Sequence, residues 1–595
     1  MRNTTKLMLT AGFAATSGLA GAQVITVNTA SDTVDFSGAQ QVADLPGPDG
    51  VVSLREAALA SDNTPGVQTV GFDVPQGEWA FQFIYPGRAV LNPFLLRFFE
   101  PVIIDGTTQT AATGDTNPDG AEVVIMSGLI TIGDDTTIRG IDSSAISVNG
   151  SNNTVELNTG FTSISLFGGS GSTIRNNTIT GTIKLDRSND NTVVGNVCQR
   201  VRIQGFVSEF GTGPITGTRV GGPNPEDRNY ITGYGTWNSE GLPSGTTVEV
   251  FDNQDTVIEN NWIGTPDGLT RGNDASSIGV GFYGTNSGVL VKDNLISGIL
   301  GVGMGPHYAG TLWGRGIYIT GTGGDINIMG NTIGLDINGQ PTLGSVYGID
   351  VDDYPVTSVH GVTIGDASTG QGNTIAGHRF NGISVNWNVS AVTISGNSIY
   401  ANDDLGIDLF ELDVTPFGVT ANDAQDADTG GNNLQNYPVL SSAEASPTQI
   451  TIAGTLNSTP NATFTVELFA SSVCNDSGFG EGERYLGQTT LQTNGSGDAS
   501  FSVALPGEIE AGWVATATAT DSEGNTSEFS ACLSVTQGSG NCIADTNGDG
   551  MLSPADFSAW VSAFNTMSPA CDQNGDGACS PADFSAWVAN YNAGC

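Results

Sequence analysis

Basic residues are scarce in this 595-residue chain: Lys and Arg number 18 against 61 Asp and Glu, and the formal net charge is −43. Only Lys6, Lys184 and Lys292 are lysines. A surface this acidic repels nucleic acid and anionic bilayers, and a polyanionic glycan can approach it only with the help of cations. No nucleic-acid partner is therefore expected. The seven cysteines include no Cys-x-x-Cys pair and no Cys-His cluster, which removes the usual zinc and dithiol patterns. The three histidines, His307, His360 and His378, are too scattered to suggest a zinc site. Beyond the N-terminus no stretch approaches the roughly 18 apolar residues of a membrane span.

Residues 1–22 read as a secretory signal, with Arg2 and Lys6 in front, a short apolar run from Leu7 to Leu19, and Ala20-Gly21-Ala22 as the cleavage site. Export, to the exterior or to the cell surface, makes disulfides feasible. Cys474 and Cys532 flank one late segment and are expected to pair. Cys542, Cys571, Cys579 and Cys595 allow three pairings that remain open, and Cys198 is left over.

Glycine, by contrast, is abundant, at 83 residues. Through the middle of the chain an Ile or Val recurs three residues before an Asn: Val155/Asn158, Ile174/Asn177, Val193/Asn196, Ile258/Asn261, Val291/Asn294, Ile328/Asn331 and Ile394/Asn397. Short β-branched runs punctuated at a fixed period predict a solenoid of stacked parallel strands. One Asn at the same corner of each coil can bond to the coils above and below. With stretches such as GNTIGLDINGQPTLG (330–344) and IGDASTGQGNTIAG (364–377), the array resembles the right-handed parallel β-helix family of pectate lyases, periplasmic copper-site maturation proteins and bacterial surface proteins. Upstream, Ser53-Leu54-Arg55-Glu56-Ala57 is similar to the Ser-Leu-Arg-Glu-Ala motif that opens many such proteins, with Val52 where a Cys usually precedes it. Ser53 and Glu56 form a capping box for a helix through about Ser61, which can cover the open end of the solenoid.

After residue 410 the composition shifts. An Asp/Asn/Gly loop (421–436) leads into alternating segments, among them QITIAGTL, TFTVELFA and WVATATAT, that predict an Ig-like antiparallel sandwich. The string SPADFSAWV then occurs twice, at 553–561 and 580–588, each copy behind an acidic loop. The first loop offers Asp545, Asn547, Asp549, the Met551 carbonyl, Ser553 and Asp556; the second offers Asp572, Asn574, Asp576, the Ala578 carbonyl, Ser580 and Asp583. Hard oxygens at alternate positions, with Gly550 and Gly577 at the sixth, are the ligand set of a calcium loop. Two such loops feeding apolar helices, ending in Gly594-Cys595, resemble the Gly-Cys-terminated variety of the dockerin module, which implies Ca²⁺ and a cohesin-like or other cell-surface partner. Positions 10 and 11 are Pro554-Ala555 and Pro581-Ala582, unlike the residues that select the cohesin in familiar dockerins.

The expected organisation is mainly β: a signal peptide (1–22), an N-terminal cap region (23–100), the β-helix (101–436), the sandwich (437–536) and a small α-helical calcium module (537–595). For chemistry, candidate carboxylates are Asp350, Asp352 and Asp353, followed by His360, and Asp403, Asp404 and Asp408. The first group partly resembles the Asp-Asp and His-Gly pieces of the polygalacturonase family, whose Asn-Thr-Asp and Arg-Ile-Lys pieces are missing here. Arg315 and Lys292 are the cations available as a lyase base. Two readings follow. One is a secreted scaffold or adhesion protein displayed through its tail. The alternative is a tail-borne polysaccharide lyase or glycoside hydrolase acting on extracellular polysaccharide. A solenoid face striped with aromatic, Asp and Arg side chains favours the second; bland Thr/Asn/Gly faces favour the first.

Overall fold

The computed structural model describes residues 23–160, 162–205, 213–233, 235–237, 243–272, 276–301, 314–353, 359–411, 418–446, 448–510, 512–537, 542–549 and 551–593. The expected signal peptide, His307, residues 538–541, Gly550, Gly594 and Cys595 lie outside them. Two compact units divide the chain, 1–192 and 193–595. Among the described residues no helix is long and apolar enough to cross a membrane.

In the first unit short strands pair in parallel, rung upon rung. One row runs through Val24–Val27, Gln68–Phe72, Val102–Asp105, Thr137–Arg139, Thr154–Glu156 and Thr173–Arg175, and another through Leu96–Phe98, Leu129–Thr131, Ala145–Asn149, Ser163–Phe167 and Thr182–Asp186. Parallel pairing thus begins at Val24, well before residue 101, inside the stretch expected to serve only as a cap. The cap helix is present as Leu54–Asp62. Ser53 Oγ accepts the Glu56 amide, and the Glu56 carboxylate accepts the Ser53 amide at 2.9 Å. The helix packs on Val24–Val27 and Leu96–Phe98, the first strands of their rows.

The second unit repeats the plan in three parallel rows and is likewise a parallel β-helix. The row that matters below comprises Arg200–Gln204, Thr246–Phe251, Ile278–Tyr283, Arg315–Ile319, Tyr347–Val351, Ile383–Val385 and Ile407–Leu409. Val248, Val280, Ile317, Ile349, Ile383 and Ile407 stack in register on its inner side, each at most 2% exposed. Burial of each such side chain stabilises the coil by about 2 kcal/mol, an upper estimate.

The corner asparagines form ladders within each unit. Asn158 Nδ2 donates to Asn177 Oδ1 at 2.9 Å in the first. In the second the chain of bonds runs Asn196, Asn229, Asn261, Asn294, Asn331, Asn373, Asn397, each step 2.9–3.0 Å. The residue before a ladder Asn often sits in the left-handed region: Asn176, Gly195, Asn260, Asp293, Gly330 and Gly396 all have φ between 55° and 66°. Gly, Asn and Asp tolerate that conformation best, which is why they recur there. Cys198 follows Asn196 where other coils carry Ile. It pairs with Ile231, is 1% exposed, and its thiol is pushed up to about 12 by burial. The unpaired cysteine is thus a core residue, inert as a thiolate.

Residues 439–537 form two four-stranded sheets over one apolar core that includes Ile450, Ile452, Phe464, Val466, Leu468, Ala515 and Ala517. Cys474 and Cys532 are joined here, with Cα atoms 6.1 Å apart. The alternating segment SEFSACLSV (527–535) forms only the short strand Leu533–Ser534 and a single bridge from Ala531 to Phe479, while its Glu528 meets the last solenoid coil. Two helices, Pro554–Asn565 and Pro581–Ala593, end the described chain.

Candidate functional site

The outward positions of the two β-helical units differ in kind. In the first, one register row reads Arg97, Ile130, Ser147, Ser165, Lys184. In the second, the row reads Arg202, Glu249, Gly281, Tyr318, Asp350, Ser384, Asp408. Aromatic rings lie along that row in two groups, linked by the Arg315 guanidinium. Phe251 stacks on Tyr283 at 6.3 Å, and Tyr283 meets Tyr318 at 6.1 Å. The Arg315 guanidinium lies over Tyr318 at 4.7 Å and near Tyr347 at 5.8 Å, and Tyr347 meets Phe380 at 5.6 Å. Phe380 and, just beyond the row, Trp387 are exposed by more than a third. With coils about 4.8 Å apart, the series extends on the order of 20 Å along the solenoid. Gly281 makes room for it, since a Cβ there would lie 2.8 Å from the Tyr283 ring.

Polar groups on this face are held in fixed orientations. Arg200 and Arg202 both reach Glu249. Arg315 pairs with Asp350, which also accepts from Asn386 Nδ2 at 3.2 Å. Burial drives Asp350 upward and Arg315 opposes it. Burial lowers Arg315, but the Asp350 carboxylate more than offsets this, and its pKa stands above the ordinary value. The pair is ionised, because a guanidinium keeps its proton and needs this counter-ion. The Tyr318 hydroxyl donates to Asp352 at 2.8 Å, and burial together with the Asp352 charge raises the phenol, so it remains a donor. Asp408, 2% exposed, is pushed up to about 7 by burial, opposed by the Asn381 amide at 2.7 Å.

The candidates therefore separate. Arg315, Asp350, Asp352 and Asp408 share this face, and Asp353 follows Asp352 at its edge. His360 does not join them: it follows the Gly323–Val359 bridge, ahead of Val362–Ile364 in a different sheet. Lys292 is also elsewhere, paired with Glu259 at 2.7 Å. His378 is buried and held neutral, its pKa lowered to about 4 by burial. The aromatic residues were missed at the sequence level. Their signal was the bulky ring placed outward in consecutive copies of one strand, at Tyr283, Tyr318 and Tyr347.

In the tail, each loop wraps on its own carboxylates. Asp545 Oδ1 accepts the amides of Gly548 and Asp549, and Asp549 Oδ1 accepts that of Met551. Asp556 accepts the Asn547 and Ser553 amides, closing loop and helix N-terminus together. Burial raises it, but these hydrogen bonds prevail and hold its pKa low. Carboxylate oxygens of Asp545, Asp549 and Asp556 all lie within 4.8 Å of one another. That separation fits oxygens around one ion with Ca–O distances of about 2.4 Å. The second loop has the same amide pattern, but Asp572 spends one oxygen on Gly575 and the other on Gly577, and its carboxylates are not gathered as closely. In these loops Asn547 Nδ2 donates to Asp549 and Asn574 Nδ2 to Asp576, and the Ser553 and Ser580 hydroxyls donate to Asp556 and Asp583.

The two tail helices exchange support. Trp560 of the first donates to the Cys571 carbonyl, just ahead of Asp572; Trp587 of the second donates to the Ala544 carbonyl, just ahead of Asp545. Phe557, Trp560, Phe584 and Trp587 pack together with ring separations of 5.1–6.4 Å. Cys571 and Cys579 are joined, their Cα atoms 5.7 Å apart. A further acidic group, Asp423, Asp426 and Asp428, lies in the loop off the last coil, where burial pushes Asp426 up to about 6.

No family model matches the chain, and no curated protein matches it. Among solved structures, a tailspike protein mutant of E. coli bacteriophage HK620, in complex with a pentasaccharide, is similar at 10% identity and TM-score 0.35, over 74% of each chain. The full-length tailspike protein 2 of Escherichia coli O157:H7 bacteriophage CAB120 is similar at 11% identity and TM-score 0.19, over 80% of this chain and 66% of that one. Those likenesses are remote, and the parallel β-helix rests on the strand pairing described above.

Proposed function

We propose that this is an exported, right-handed parallel β-helix protein that recognises neutral extracellular polysaccharide on one face of its second unit. A calcium-binding, dockerin-like tail holds it to a cohesin-like or other cell-surface partner, with the Ig-like sandwich between. The observation that carries the reading is the fixed aromatic series Phe251, Tyr283, Tyr318, Tyr347, Phe380, flanked by oriented carboxylates and guanidinium groups. Rigid rings with a few convergent polar groups suit a ligand that offers apolar ring faces and many hydroxyls. A neutral glycan is favoured over a uronate, because each described arginine of the face already meets a carboxylate. In the tail, Asp545, Asn547, Asp549 and Asp556 would hold one Ca²⁺, and Asp572, Asn574, Asp576 and Asp583 a second. Calcium supplies the positive charge that lets these carboxylates close on one another.

The second reading, a carbohydrate-active enzyme, is the one that a stripe of aromatic, Asp and Arg side chains was expected to favour. It stands second because Asp350 is engaged by Arg315 and Asp408, the carboxyl it draws on, is 2% exposed. A carboxyl still partly protonated near neutral pH is what a general acid requires, and Asp408 shares its register row with Asp350. Affinity electrophoresis of the whole protein against neutral and uronate polysaccharides tests the binding reading. Retardation by a neutral polymer is expected, and retardation by none overturns it. Reducing ends or unsaturated products released from the same polymers would move the assignment to the enzyme.

A further inference from the structure

The last coil of a solenoid presents amide donors with no next coil to receive them, an edge that invites pairing with other chains. Here those donors are met by the two-sheet segment. In earlier coils a strand amide is received by the next coil's carbonyl, as Ile349 N is by Gly382 O and Ile383 N by Gly406 O, both at 2.9 Å. In the final coil, Leu409 N donates to Glu528 Oε1 at 3.1 Å and Gly396 N to Glu467 Oε2 at 2.9 Å. At the corner, the His378 amide donates to the Asn402 side chain of the next coil; Asn402 itself donates, through amide and side chain, to Glu481 Oε1. Ile394 N finds Thr526 Oγ1, Ala391 N finds Asn525 Oδ1, and Ile399 N finds the Gly482 carbonyl. Glu467, Glu481 and Glu528 are all at most 5% exposed. Apolar closure accompanies the polar one: Gly406 has no side chain, and the Phe529 ring lies 2.9 Å from where its Cβ would be.

We propose that residues 437–537 serve as the C-terminal cap of the β-helix, with Glu467, Glu481 and Glu528 replacing the carbonyls and corner side chain of the absent next coil. The three glutamates come from different parts of one sheet: a strand, the loop before the next strand, and the loop after Val514–Thr520. Cys474 and Cys532 join the two capping loops, whose residues Phe479 and Ala531 also bridge. The disulfide therefore braces the surface that meets the coil. This role does not depend on the ligand of the solenoid face.

Hydrogen exchange on the full chain tests it. In a Glu467→Ala/Glu481→Ala/Glu528→Ala variant, amides 391–409 should exchange at least about tenfold faster, while 257–296 stay as protected as in the parent. Unchanged exchange at 391–409 would overturn the proposal. If the triple variant does not fold, Glu528→Ala and Glu528→Gln decide it: the Gln variant keeps an acceptor for Leu409 and should retain protection that the Ala variant loses. Equal protection in the two also overturns it.

Discussion

Substituting Asn294 by Ala probes the ladder at its centre. Its Nδ2 donates to Ile258 O, Lys292 O and Asn331 Oδ1 at 2.8–2.9 Å, and its Oδ1 accepts from the amide and side chain of Asn261 at 2.8 and 3.0 Å. The residue is 2% exposed, so water cannot replace these partners. The Asn261 side chain keeps two other acceptors, Val220 O and Glu259 O, but its backbone amide is left without one. An orphaned buried donor costs roughly 1–3 kcal/mol, and each lost neutral bond about 1. The substitution should therefore cost about 3 kcal/mol. Because coils report on their neighbours and not on the whole chain, local hydrogen exchange is the proper assay. Opening of 257–263 and 289–296 should quicken by about two decades in Asn294→Ala, against little change in Asn327→Ala, whose side chain bonds only an exposed Asp325. Asn294→Asp, which keeps an acceptor but adds a buried charge, should be no better than Ala. A loss below about 0.5 kcal/mol in Asn294→Ala would refute the ladder as a source of stability.

Arg315→Ala leaves Asp350 buried without its counter-ion and should destabilise the coil by about 3–5 kcal/mol, seen as earlier thermal loss of the 315–351 rungs by exchange; an unchanged profile contradicts this. The cap should be pH-sensitive. Glu481 and Glu528 are pushed up by burial to about 7 and about 8, with Glu483 beside the first and Asp408 beside the second. Their folded values lie above the unfolded ones, so their stabilisation is full below about pH 4.5 and is lost as pH rises through 7 to 8, a few kcal/mol in total. Protection of 391–409 should fall over that range, and a flat profile would contradict it. Calorimetry of the whole chain should find two calcium equivalents, one lost in Asp545→Ala and another in Asp572→Ala; no uptake at millimolar calcium removes the tail from the account.

The solenoid was legible because its signal is repeated. Apolar residues at a fixed place before a corner Asn predicted parallel strands, and the Ser53–Glu56 capping box placed a helix to within a residue of its end. Two ladder members, Asn229 and Asn373, escaped that pattern because no Ile or Val stands three residues before them. The better signature is Asn-x-Ile, shared by Asn229-Tyr230-Ile231 and Asn373-Thr374-Ile375, with a left-handed residue often ahead of the Asn. The two loop-helix copies of the tail were legible for the same reason, since SPADFSAWV occurs twice and each copy forms a helix. The aromatic face of the second unit was not. Tyr283, Tyr318, Arg315 and Asp350 come from coils separated by insertions of unequal length, and only the strand register brings them side by side. Nor could the sequence show that the glutamates of the two-sheet segment point toward the last coil, since their partners lie as far as 119 residues away.

The most direct test of the account compares the parent protein with Tyr283→Ala/Tyr318→Ala in affinity for the neutral polysaccharide that retards it. Both rings lie on the outer face and neither stacks in the inner core, so the variant should keep its fold and its calcium uptake. Affinity should fall at least about tenfold, with uronate polymers failing to bind either form. Equal affinity in parent and variant would contradict it.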